Sequence, residues 1–274
     1  MKIGISTANF YPDTNTEDTI EKIKKLGFSI VEIFLNSESE YEPDFIGRLK
    51  DKLEKNNIEV YSVHGFSTSF EPFLFDRYKR RREDMFKRYR SIIKAAKGLE
   101  AKTYTFHGIR KIDSGNFNKD FVMDIYNNLS YEAAKEGIIF SQENVSWCKS
   151  SEIDFLEMLK DKMKYPIKFT FDIKQAYKAG VSPMYYLDVM GKDMVNLHIN
   201  DRDENNLCLM PGRGTVDFKA IKNKLKQIGY DNVGIIEIYR DNYRNEDEFI
   251  AVKKFLEDIF TNSWIMIQDI FVKK

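Results

Sequence analysis

The sequence predicts an α/β fold, a single-domain (β/α)8 TIM barrel, and three observations carry that expectation. Short apolar, β-branched segments recur eight times, most of them about 30 to 40 residues apart, the length of a strand plus a crossover helix. Segments with helical periodicity lie between them. The 274 residues are enough for one such barrel, and no linker rich in Gly, Pro or Ser divides them. A doubly wound open sheet is the alternative, but no GxGxxG follows the first strand.

The predicted strands are residues 3–6, 30–35, 58–63, 103–107, 138–142, 167–171, 195–199 and 233–238. Each is rich in Ile, Val, Phe or Thr, the residues that suit a pleated, buried surface. The first helix, 16–26, carries Ile20, Ile23 and Leu26 on one stripe and stops at Gly27. Residues 44–56 align Phe45, Leu49 and Leu53, and 82–97 align Met85, Tyr89, Ile92, Ile93 and Ala96. Further stripes are Phe121, Ile125, Leu129 and Ala133 in 118–136, and Ile153, Leu156 and Leu159 in 150–162. Phe218, Ile221, Leu225 and Ile228 mark 217–228, and Phe249, Phe255 and Ile259 mark 246–260. Each strand is thus expected to lead into a helix. The apolar tail from about residue 262, with Trp264, Ile265, Met266 and Ile267, is expected to cover the barrel exterior or meet a neighbouring subunit in a homo-oligomer.

Composition excludes several classes. Lys+Arg and Asp+Glu both number 43, so no overall field draws the chain to nucleic acid or an anionic membrane. Cys148 and Cys208 stand far apart in no CxxC pattern, which indicates neither a disulfide framework nor a thiolate metal site. Met1-Lys2 runs straight into Ile3-Gly4-Ile5 without a charged-then-apolar leader, and no apolar run approaches the roughly 20 residues of a membrane span. A cytoplasmic, reduced protein is the expectation.

The polar groups at strand ends carry the chemistry. All three histidines sit at predicted strand ends: His64 after the third, His107 closing the fourth and His198 in the seventh. Carboxylates take the same kind of place, with Glu32 in the second strand, Glu143 after the fifth, Asp172 after the sixth and Glu237 in the eighth. In a barrel these ends converge on one face. The acids, with no Lys or Arg read in the same strand ends, would repel one another unless a cation sat between them. Glu143, Asp172, His198 and Glu237 are the expected ligands of one divalent metal ion. Their mostly oxygen donors suit Mn²⁺ first, then Mg²⁺, with Co²⁺ or Zn²⁺ as alternatives. His64 and His107 would line the opposite side, either as substrate contacts or as supports of the metal ligands, with Glu32 as a further substrate contact.

These residues recur in the order His64-Gly65, His107-Gly108, Glu143-Asn144, Phe171-Asp172, His198-Ile199-Asn200-Asp201, Pro211-Gly212-Arg213-Gly214 and Ile236-Glu237. In that order the chain resembles the xylose-isomerase-like barrel superfamily, which holds sugar isomerases and epimerases alongside endonuclease-IV-type repair enzymes. In the isomerase and epimerase members, the positions matching Glu143, Asp172, His198 and Glu237 bind one divalent metal, and the two glutamates move the protons. The resemblance also assigns Asp201 to the substrate side. Where many relatives carry Asp-x-x-His, this chain has Asp172-Ile173-Lys174-Gln175; the Gln175 amide can hydrogen-bond a substrate hydroxyl but carries no proton. Asn206 and Cys208 replace the Asp-x-His of the nucleases, which removes ligands from a three-zinc site. Arg213 stands where relatives are often acidic and is expected to face solvent or an anionic substrate group.

The expected function is therefore a divalent-metal-dependent isomerase or epimerase of a small keto sugar or sugar phosphate. Glu143 and Glu237 are its catalytic pair, passing a proton through a metal-stabilised enediolate. Return of the proton to the same carbon gives epimerisation, and to its neighbour isomerisation. The rivals are a DNA-repair phosphodiesterase and a related barrel acting as a dehydratase or a non-catalytic sugar binder. The basic run Arg77–Arg82 and Lys87–Arg90 favours the first, but Glu83 and Asp84 interrupt it and Met85, Tyr89 and Ile92 give it a buried stripe, so it reads as a solvated helix face. The loops 65–78, 108–118 and 202–214 are expected to set specificity, with Phe66, Phe70, Phe73 and Phe75 crowding the first.

Overall fold

A computed structural model describes residues 1–114 and 118–261. The apolar tail and the tip of the 108–118 loop lie outside the described residues. Eight parallel strands close into a barrel in sequence order: β1 (Lys2–Ser6), β2 (Ile30–Leu35), β3 (Glu59–Gly65), β4 (Thr103–Phe106), β5 (Ile139–Glu143), β6 (Lys168–Asp172), β7 (Met194–Ile199) and β8 (Val233–Ile236). β1 and β8 seal it, with Ile5 opposite both Val31 and Ile236. The predicted eight-stranded barrel is borne out, and β2 keeps its predicted bounds.

The outward residues of each strand are the apolar ones. Val31, Ile33 and Leu35 of β2, and Phe169 and Phe171 of β6, are fully buried against the helical layer. That layer is α1 (Thr16–Lys25), α2 (Pro43–Asn56), α3 (Lys79–Gly98), α4 (Lys119–Lys135), α5 (Ile153–Lys162), α6 (Ile173–Lys178), α7 (Pro183–Met190), α8 (Phe218–Gln227) and α9 (Glu248–Phe260). Ile20 and Ile23 of α1 are wholly buried, and burying such a side chain contributes about 1.5–3 kcal/mol. In α9 the buried face is Phe249, Val252, Leu256 and Phe260, whereas Phe255 is 37% exposed; the stripe is rotated from the one read in the sequence. Between β6 and β7 the expected single helix is replaced by the short pair α6 and α7. Gly180 takes a left-handed φ of 69° after α6, and Pro183 restarts the helix behind the Ser182 cap.

The inward residues are small and polar, and they differ from the branched apolar filling common in such barrels. Ser6, Ser62 and Thr105 donate to Glu32, Ser141 bonds Thr170, and Asn196 donates to Glu32. This satisfied network forms a floor beneath the C-terminal strand ends. A separate apolar cluster of Ile30, Tyr61, Val233 and Ile235 lies toward the other end.

Candidate metal centre

Strand register brings four side chains together above that floor. Glu143 and Asp172 end β5 and β6, His198 is next to last in β7, and Glu237 directly follows β8. Each offers one ligand atom, and these atoms lie within 4.8 Å of one another. His198 Nδ1 is 3.5 Å from Glu143 Oε1, 3.7 Å from Asp172 Oδ2 and 3.4 Å from Glu237 Oε2. Asp172 Oδ2 and His198 Nδ1 are buried without a hydrogen-bond partner and face each other at 3.7 Å, while Glu143 turns Oε1 toward His198 Nδ1. Native proteins seldom leave such atoms unsatisfied, so two of them converging from different strands beside two further carboxylates fit a cation site. The donor set of three carboxylates and one imidazole can hold a divalent metal.

The atoms facing away from the centre are fixed. His198 Nε2 lies 3.1 Å from Glu32 Oε2, so Nε2–H is placed to donate to the Glu32 carboxylate and Nδ1 is turned toward the centre. Glu32 is fully buried in the floor and acts through His198. Asp172 Oδ1 accepts from Gln175 N at 3.0 Å, capping α6, and from Asn200 Nδ2 at 3.2 Å, which turns Oδ2 toward the centre. The Asn144 side chain accepts from Asp172 N (2.7 Å) and donates to Asp172 O (3.0 Å). Asn9 does the same for the neighbours of Glu237, accepting from Ile238 N and donating to Ile236 O. Asn144→Ala should lower stability by about 2–4 kcal/mol in chemical denaturation, because it strands a buried N–H and a buried C=O.

His64 and His107 approach Glu143 from the other side. His107 Nε2 is 2.9 Å from Glu143 Oε2 and 2.9 Å from His64 Nε2, and His64 Nε2 is 3.7 Å from the same oxygen. His64 lies within β3, not past its end, and stacks on Phe34. Burial disfavours the charge of Glu143, yet the imidazoles of His107, His198 and His64 hold its carboxyl well below the usual range. Burial would push His64 down, but its contact with Glu143 and the charges of Glu32, Glu143 and Glu237 raise it to about 9. A raised imidazole contributes stability that is complete below its unfolded value and is lost as pH climbs through the folded one. Chelator-treated protein should therefore melt a few degrees lower at about pH 9.5 than at about pH 6.5, and His64→Gln should narrow that gap.

The remaining expected substrate residues are engaged elsewhere. Gln175 Oε1 accepts from Ser146 N at 3.0 Å and ties α6 to the loop after β5. Asp201 accepts from the backbone N–H groups of Arg202, Gly212, Gly214 and Val216, organising the 212–216 turn. A Cβ on Gly214 would collide with Arg202 O and Asp201, so that turn needs glycine. Arg213 pairs with Glu248 at 2.6 Å and is about half exposed. In the first loop Phe70 and Phe75 are buried packing residues, while Phe66 is 39% exposed. The basic run is largely paired within the chain: Arg81 with Asp76, Lys79 with Glu83, Lys87 with Asp84 and Arg88 with Glu38.

Two charged residues take places at the site that the sequence reading did not assign to them. The strand ends are not free of Lys: Lys174, 3% exposed, sits 3.1 Å from Glu237 Oε2 and 3.4 Å from Asp172 Oδ2. The Asp172 cap starts α6 at once, and Lys174 in its first turn is carried back over the barrel. Burial opposes the Lys174 charge, but Asp172 and Glu237 hold it protonated well above the ordinary range. Glu71 is wholly buried in the 65–78 loop and accepts from Tyr104 Oη, His107 N and Gly108 N, which fixes the backbone that carries His107. Its one sequence signal is an acid set among aromatics, Phe70-Glu71-Pro72-Phe73.

Comparison with known proteins agrees with this architecture. The chain is 27% identical over 272 residues to the uncharacterized protein MJ1311 of Methanocaldococcus jannaschii, covering 94% of this chain and 90% of that one. The crystal structure of a D-tagatose 3-epimerase-like protein superposes with a TM-score of 0.80 at 22% identity, over 95% of this chain and 98% of the other. The IolI protein, solved with a bound zinc atom, superposes with a TM-score of 0.78 at 17% identity, over 97% and 100% of the two chains. The family model described as xylose isomerase-like TIM barrel matches residues 20–259, and the chain belongs to that family.

Proposed function

We propose that the chain is a divalent-metal-dependent isomerase or epimerase of a small keto sugar or sugar phosphate. The observation that carries this reading is the cluster of Glu143, Asp172, His198 and Glu237, in which Asp172 Oδ2 and His198 Nδ1 face the centre without hydrogen-bond partners. Structural neighbours, a D-tagatose 3-epimerase-like protein among them, support the substrate class. Mn²⁺ is the ion proposed from the oxygen-rich donors, with Zn²⁺ the first comparison because the IolI protein carries zinc. Bound by these four residues, the ion would draw electron density from a carbonyl oxygen and acidify the carbon beside it.

The protein's own groups then move the proton. Glu143, beside His64 and His107, takes it from one face of the ligand, and Glu237, beside Lys174, gives the carbon a proton drawn from solvent on the other face; Glu143 then releases its proton to solvent. His64 and His107, 2.9 Å apart, hold a substrate hydroxyl next to the reacting carbon. Glu32 keeps His198 in one orientation throughout. The phosphodiesterase reading draws little support, since Lys and Arg of the α3 region are spent on neighbouring acids. Elemental analysis of the purified protein, followed by product analysis on a panel of ketoses and ketose phosphates with Mn²⁺, Co²⁺ or Zn²⁺, tests the assignment. A new epimer or aldose formed only with metal supports it; cleavage of abasic DNA with no sugar turnover overturns it.

A further inference from the structure

We propose that Lys174 is a built-in cation of the metal centre, which weakens the hold of the four ligands on a divalent ion and keeps the site assembled when no ion is bound. The inference rests on the metal reading above and adds to it a residue outside the ligand set. Lys174 Nζ stands 3.1 Å from Glu237 Oε2 and 3.4 Å from Asp172 Oδ2, the same two oxygens that face His198 Nδ1. It also lies 4.6 Å from the centroid of the Tyr239 ring. An ammonium group has three hydrogens, and two carboxylate oxygens and one aromatic face give each a direction inside the protein. At 3% exposure the side chain has no route to lie in solvent, unlike a surface lysine that swings away when a competing cation arrives.

Two consequences follow from charge alone. Without a metal, three clustered carboxylates, two of them buried, repel one another, and the ammonium bridging Asp172 to Glu237 offsets that repulsion. With a metal, a dication and an ammonium share the same two oxygens a few ångströms apart, and their repulsion weakens binding. Lys174 therefore trades metal affinity for a preformed site, so that the ion is exchangeable rather than permanently trapped. Tyr239 holds the ammonium in place in both states, and a second lysine, Lys178, donates to Tyr239 Oη at 2.9 Å and braces that ring.

The test is calorimetric titration of Mn²⁺ into chelator-treated full-length wild type and Lys174→Met, with thermal melts of each with and without Mn²⁺. The expected result is Mn²⁺ binding about tenfold or more tighter in Lys174→Met, since the competing charge is gone while the volume is kept. Metal-free Lys174→Met should also melt below metal-free wild type, with a larger upward shift on adding Mn²⁺. Lys174→Gln, polar but uncharged, makes the same affinity comparison should metal-free Lys174→Met not fold. Equal or weaker Mn²⁺ binding by the uncharged variants, with wild type still binding, overturns the role of Lys174 and leaves the metal reading standing. Absence of Mn²⁺ binding in wild type and variants alike overturns the metal reading and this proposal with it.

Discussion

Glu143→Gln is expected to lower sugar turnover by about a thousandfold or more at saturating Mn²⁺, and Glu237→Gln to do the same. The amide keeps the shape of the side chain and one coordinating oxygen, but it cannot accept a proton at neutral pH. Both residues are needed because a single carboxylate on one face can remove a proton without inverting the carbon. Glu143 and Glu237 leave β5 and β8 with β6 and β7 between them, so they reach the centre from different sides. Steady-state rates on the best ketose of the panel, with circular dichroism to verify folding, make the measurement. Wild-type rates in either folded variant would remove that glutamate from the proton path.

His198→Ala is expected to weaken Mn²⁺ binding by about a hundredfold or more and also to destabilise the metal-free protein by about 3–5 kcal/mol. The two effects have separate origins. Nδ1 faces Glu143, Asp172 and Glu237 together, so its loss removes the one neutral donor among the proposed ligands and leaves three mutually repelling carboxylates. Nε2 serves the floor: without it, Glu32 at 0% exposure keeps only Ser, Thr and Asn donors for a full charge. Calorimetric Mn²⁺ titration reads the first effect and urea denaturation in chelator reads the second. Unchanged Mn²⁺ affinity would place the ion elsewhere in the chain.

The barrel was legible because outward strand residues must be apolar on this fold, and runs such as Ile30-Val31-Glu32-Ile33-Phe34-Leu35 announce themselves through one polar interruption. That interruption was informative too, since an acid inside a buried run needs a partner; in the folded chain Glu32 finds His198 and the hydroxyls of the floor. The β6–β7 crossover was less legible. Its two helices are only six and eight residues long, and neither gives a stripe long enough to stand out. The place of Lys174 between Asp172 and Glu237 stayed hidden for a geometric reason. Whether a residue two places past a strand faces solvent or the barrel depends on how the next helix begins, and here the Asp172 cap turns it inward. The backbone clasps of Asn9 and Asn144 were hidden because an asparagine's partners are not written in its neighbours, even where the Glu143-Asn144 pair itself stood out. Asp201 shows the converse: its place in the His198-Ile199-Asn200-Asp201 run suggested substrate contact, whereas four backbone N–H groups already occupy its carboxylate.

Solvent exchange tests proton transfer between Glu143 and Glu237 most directly. A ketose incubated in D₂O with the Mn²⁺-loaded protein should gain one deuteron at a carbon beside its carbonyl, seen by proton NMR, and Glu143→Gln should abolish the gain. No deuterium uptake into any ketose that the wild-type protein binds would contradict that chemistry.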